Sequence, residues 1–105
     1  MKTAFHHLGV PTSIRSEDES YSERGKVHLT DPEKHPFRVE FLRFDPDSPM
    51  PEIVKTTPHA AFAVDSIDKA LEGRTVVVPP FDASDTLRVA FFMDGDALIE
   101  VMEMK

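Results

Sequence analysis

A histidine ahead of one apolar run and a glutamate inside a later one occur twice along this chain, in the same order. His7 opens His7-Leu8-Gly9-Val10, and Glu40 lies within Arg38-Val39-Glu40-Phe41-Leu42. His59 opens His59-Ala60-Ala61-Phe62-Ala63-Val64, and Glu100 lies within Leu98-Ile99-Glu100-Val101-Met102. The doubling predicts two similar β-rich halves, each supplying one imidazole and one carboxylate. Two histidines and two carboxylates together suit a divalent transition metal ion.

The elements around these residues read as follows. Ala4 to Thr12 is expected as the first strand, with Pro11 near its end or at an edge. Ser13 to Gly25 is polar and acidic, lacks the apolar spacing of an amphipathic helix, and reads as loop running into an edge strand near Ser20. Lys26 to Thr30 and Pro36 to Phe44 are expected as strands around a turn at Thr30-Asp31-Pro32-Glu33. Asp45 to Pro51 is a proline-rich connector. Pro58 to Val64 is the next strand. Asp65-Ser66 supplies capping oxygens for a short helix over Ile67 to Glu72, which Gly73 closes. Thr75 to Val78 is a β-branched strand stopped by Pro79-Pro80. Leu87 to Met93 and Ala97 to Met104 form a hairpin around Asp94-Gly95-Asp96, where glycine supplies the positive φ of the turn. The second half therefore reads β-α-β-β-β, and the first half β-loop-β-β.

Side chains alternate faces along a strand, which locates the candidate ligands. Glu100 shares a face with Leu98, Met102 and Met104 in a strand apolar on both sides. A carboxylate buried there needs a cation. That cation is a metal, or else an arginine such as Arg38, Arg43, Arg74 or Arg88. Glu40 shares its face with Leu42, Phe44 and Arg38, so an arginine competes with a metal there too. His59 lies beside Ala61 and Ala63, whose small side chains leave room for a ligand or allow close covering of the sheet. His6 and His7 face opposite ways, so only one of them points into any one cavity. His28 and His35 lie near turns and read as surface residues. Phe37, Phe41, Phe44, Phe62, Phe91 and Phe92 are candidates for a pocket wall or for plain core.

Composition narrows the field. The chain has 105 residues, the size of one domain, and its net charge of −7 argues against nucleic acid, whose phosphates need clustered Lys and Arg. It contains no Cys, which excludes disulfides, thiolate ligands and a cysteine nucleophile. No stretch resembles a signal peptide or approaches the ~20 apolar residues of a membrane span. Cytoplasmic residence is the expectation. A chain this small gains from covering more apolar surface, so a homodimer is expected as well.

With these residues in view, the chain resembles the vicinal-oxygen-chelate superfamily, which includes glyoxalase I, bleomycin- and fosfomycin-resistance proteins, extradiol dioxygenases and methylmalonyl-CoA epimerase. Phe5-His6-His7-Leu8-Gly9-Val10 looks like that family's opening strand. Pro58 to Leu71 looks like the second module's strand and helix, and Ala97 to Glu103 like its terminal strand. The resemblance is strongest from Pro58 onward and thin between Thr12 and Pro36. It implies an α+β fold of two βαβββ-type modules forming a concave mixed sheet. Residues 1–51 would form a reduced first module lacking most or all of its helix, and residues 52–105 the second. It implies metal ligands at His7, Glu40, His59 and Glu100, with Zn, Ni, Co, Mn or Fe as the ion.

Three functions follow from that resemblance as expectations. The first is a metal-dependent lyase, isomerase or epimerase of glyoxalase type. It would stabilise an enediolate-like intermediate of a small oxygen-chelating substrate, with Glu100 or Glu40 as general base. The second is a non-catalytic small-molecule binding or resistance protein of the same fold. The third keeps only His7, His59 and Glu100, a two-His, one-carboxylate set suited to Fe(II) and extradiol-type oxygen chemistry.

Overall fold

The computed structural model describes residues 1–105. The chain divides into two compact units: His7–Pro58, and Met1–His6 with His59–Lys105. Secondary structure is mostly strand, parallel and antiparallel pairs mixed, with two five-residue helices and one 3-10 turn, an α+β composition. No helix is long and apolar enough to cross a membrane.

In the N-terminal unit, β1 (Thr3–Pro11) pairs in parallel with β4 (Val39–Phe44) from Leu8 onward, with Leu8 opposite Val39 and Gly9 opposite Glu40. The strand order is β2-β3-β4-β1, where β2 is Ser20–Ser22 and β3 is Val27–Leu29. No helix separates β1 from β2, in line with the polar segment between them. That segment is held to the sheet by Glu19, whose two carboxylate oxygens accept hydrogen bonds from Arg43 of β4 at 2.8 and 3.1 Å. The hydrogen bond from Arg43 keeps the Glu19 carboxyl below its ordinary range. A 3-10 turn at Pro32–Lys34 follows β3, capped by Asp31, which accepts the Glu33 N–H at 2.9 Å. A short α1 (Glu52–Thr56) follows the proline-rich connector. The sequence carries no apolar repeat for it, and its one buried side chain is Val54.

The C-terminal unit runs β5 (His59–Val64), α2 (Ile67–Leu71), β6 (Thr75–Ser84), β7 (Leu87–Asp94) and β8 (Ala97–Met104). Its order is β5-β8-β7-β6, with β5 parallel to β8 and the other pairs antiparallel. Two residues, Gly95 and Asp96, join β7 to β8, and Gly95 takes φ +58 as that turn requires. Ser66 caps α2, its side chain accepting the Lys69 N–H at 3.2 Å. Glu103 of β8 accepts the Ile67 N–H at 2.6 Å, satisfying a second free donor of the same helix end. Gly73, at φ +72, turns the chain out of the helix.

The helix then buries Ile67 and Ala70 against Val64, Ala90, Phe92 and Val101, the core of this unit. Full burial of Ile67 contributes about 1.5–3 kcal/mol. Phe5 at the start of β1 packs edge-on to Phe62 of β5, ring centroids 5.8 Å apart.

Two strands depart from their expected length: β4 begins at Val39 rather than Pro36, because the chain turns at Arg38, whose N–H bonds the His35 carbonyl, and β6 runs on past its expected end. β6 does not stop at Pro79-Pro80 but continues to Ser84, with register shifts on either side of Val78. The reason is position: β6 ends the strand order and pairs only with β7, so a missing N–H on its open side breaks no ladder bond.

Candidate metal centre

Each unit holds one buried histidine against one glutamate. In the N-terminal unit His7 is 3% exposed, and its Nε2 lies 3.3 Å from Glu40 Oε1. In the C-terminal unit His59 is 2% exposed and Glu100 is 8% exposed, with His59 Nε2 3.0 Å from Glu100 Oε1.

Both pairs arise from the same local arrangement. The histidine sits on one strand and the glutamate on its parallel neighbour. The glutamate is in register with the residue two positions after the histidine, Gly9 for Glu40 and Ala61 for Glu100. Positions two apart share a face, so imidazole and carboxylate project the same way. A residue of minimal size faces each carboxylate.

The surroundings of the second pair are apolar. Phe91 of β7 faces Glu100 across the ladder and sets its ring edge-on to His59, centroids 5.2 Å apart at 85°. Leu98, Ala61 and Phe91 are all buried. An isolated carboxylate in such a place costs several kcal/mol unless a cation or strong donor meets it.

Two of the arginines expected as rival partners are engaged elsewhere. Arg43 is bound to Glu19, and the Arg74 guanidinium stacks on the Phe92 ring at 5.1 Å. The carboxylates of Glu40 and Glu100 instead meet imidazoles. His7, Glu40 and His59 are donors of the type and burial that could hold a metal ion, a group that does not include Glu100.

Two histidines read from sequence as surface residues have structural roles. His28 lies in β3, half-buried, its Nε2 3.2 Å from Asp45 Oδ1 and its ring 4.6 Å from that of Tyr21. The Tyr21 hydroxyl donates to the other Asp45 oxygen at 2.7 Å. Mainly through that bond, the phenol is pushed up to about 12. His35 Nδ1 accepts the backbone N–H groups of Phe37 at 3.0 Å and Val39 at 3.3 Å. No short motif announces either arrangement; both depend on turns that bring distant backbone together.

The phenylalanines divide. Phe91 borders the His59–Glu100 pair, while Phe37 is 80% exposed. Phe62 and Phe92 line a cavity of about 240 Å³ with Val64, Ala70, Ile99 and Val101. Ile99 and Val101 alternate with Glu100 along β8, so this cavity lies on the opposite face from the carboxylate.

No protein-family profile matches the chain, and no curated protein is significantly similar to it. Among solved structures, a hypothetical protein of Bacillus halodurans C-125, BH1468, superposes with a TM-score of 0.70 over 100% of this chain and 96% of its own, at 15% identity. The likeness is one of fold.

Proposed function

We propose that His7, Glu40, His59 and Glu100 are ligands for a divalent transition metal, and that the protein is a metal-dependent lyase, isomerase or epimerase of glyoxalase type. The observation that carries this reading is the recurrence of the buried His–Glu pair, in identical parallel register, in both units. One such pair is an ordinary way to satisfy a buried histidine. Two of them, each opposite a glycine or alanine, offer nitrogens and carboxylates of the kind a divalent transition metal takes.

The βαβββ order of the C-terminal unit, and the same parallel pairing without a helix in the N-terminal unit, support a doubled module of the vicinal-oxygen-chelate kind. A bound ion supplies Lewis-acid stabilisation of negative charge developing on a substrate oxygen. The chain's own contribution is positional. His7 and His59 hold their Nε2 atoms on the faces occupied by Glu40 and Glu100. Phe91 and Leu98 exclude water from one side of Glu100, which strengthens every charge interaction there. A carboxylate oxygen of Glu40 or Glu100 takes a proton from carbon and returns it, the general-base role of this chemistry.

Metal analysis of the purified protein, repeated on His59→Ala and Glu100→Ala, tests the reading. Wild type should bind Ni, Co, Mn, Fe or Zn, and each variant should bind far more weakly. Equal binding by all three proteins would refute the centre. Given binding, activity on a panel of hemithioacetals of α-oxoaldehydes, acyl-CoA epimers and catechols assigns the reaction. Metal binding with no turnover of the panel would favour sequestration of a small molecule.

A further inference from the structure

We propose that His35 is a positioning residue, holding the backbone turn that brings Glu40 onto His7. Its Nδ1 accepts two backbone N–H groups, from Phe37 and Val39. A ring nitrogen that accepts carries no proton, so the ring proton resides on Nε2. The Arg38 N–H closes the turn on the His35 carbonyl at 3.1 Å.

Within this turn Arg38 takes φ +56, the left-handed region. A residue with a Cβ enters it only against a steric penalty. The backbone groups of Phe37 and Val39, on either side of Arg38, are the ones His35 captures, so the imidazole offsets that cost. The Arg38 carbonyl, thus oriented, accepts the Leu8 N–H at 2.9 Å. That bond leads directly into the pairing of Leu8 with Val39 and Gly9 with Glu40. A slip of one residue would send Glu40 to the opposite face, away from His7.

The test compares His35→Leu, His35→Asn, Arg38→Gly, and His35→Leu combined with Arg38→Gly. Asparagine retains an acceptor oxygen near the place of Nδ1, and glycine adopts the left-handed conformation unaided. Two quantities are read: hydrogen exchange at the Leu8 amide relative to the amides of β7 and β8, and Co(II) affinity by absorbance titration. Only the second rests on the proposed metal centre.

His35→Leu should speed Leu8 exchange selectively and weaken Co(II) binding by about tenfold or more. His35→Asn and the double variant should return both towards wild type. Arg38→Gly alone should leave Leu8 exchange near wild type. Unchanged Leu8 exchange in His35→Leu would overturn the proposal. So would loss of protection throughout β7 and β8 with no rescue by either companion change, since that marks a general packing role. If the wild-type chain binds no Co(II), the metal reading fails, and the exchange comparison alone decides the role of His35.

Discussion

Ala61 and Glu100 are register partners across the parallel pair β5 and β8, and Ala61 has no exposed surface. Gly9 occupies the same place opposite Glu40. Each carboxylate is thus faced by a residue of minimal size, and at Ala61 full burial leaves no outlet for a larger side chain.

Enlarging that residue should damage both stability and the site. Ala61→Leu is expected to cost about 1–3 kcal/mol by overpacking. Ala63→Leu, on the same face but exposed, should change stability by less than about 0.5 kcal/mol. Urea unfolding of the two variants checks the contrast, and metal titration should find only Ala61→Leu impaired.

Metal binding to the folded chain alone should stabilise it by mass action. At a free ion concentration one hundred times the dissociation constant, the gain is about 2.7 kcal/mol. Thermal unfolding with and without added ion reads this as a rise in Tm that a chelator reverses. Glu100→Gln keeps the shape but removes the charge, and its Tm should respond little to the ion.

Glu103 joins the end of the chain to the start of α2, and removing it should loosen that helix. Glu103→Ala abolishes the 2.6 Å bond to the Ile67 N–H. A hydrogen bond to a charged acceptor contributes about 1.5–3 kcal/mol. Ser66→Ala, which removes the neighbouring cap, should cost about 1 kcal/mol. Denaturant unfolding followed by circular dichroism measures both, and neither change should alter metal affinity.

Tyr21 offers a pH test free of overlapping signals, because the chain has one tyrosine and no tryptophan. Its phenol is raised from 10.0 to about 12, first by the bond to Asp45 and then by desolvation. A raised pKa means that the folded chain keeps a proton the unfolded chain has lost. The stabilisation is complete below the unfolded value and disappears as pH climbs through the folded one. Absorbance titration near 295 nm should give a midpoint well above the ordinary phenol value, and Asp45→Asn should lower it. Folding stability should fall across the same interval in wild type and less so in the variant.

Much of the C-terminal unit was legible because its signals are local. Strand alternation put Glu100 with Leu98 and His59 with Ala61, Gly95 marked the hairpin, and Asp65-Ser66 with Gly73 bracketed α2 to within a residue. The proline rule misread β6, since Pro79-Pro80 ends a strand only where both sides are paired. α1 passed unnoticed because five residues with one buried side chain carry no periodicity.

The polar segment before β3 was legible as an edge strand near Ser20. Its anchor, Glu19 on Arg43, was not, because that bond spans two dozen positions with no repeating pattern.

By itself, then, the sequence determined which residues bear donor atoms and which face of its strand each occupies, because a period of two is a property of the local backbone. It did not determine what the carboxylates meet. Arg38 and Arg43 stood as near to Glu40 in sequence as any partner. Yet Arg43 lies on the opposite face of β4 and is bound to Glu19. The partner of Glu40 was decided by the parallel register of β1 and β4, set by hydrogen bonds between strands some thirty residues apart. That is information the tertiary structure alone contains.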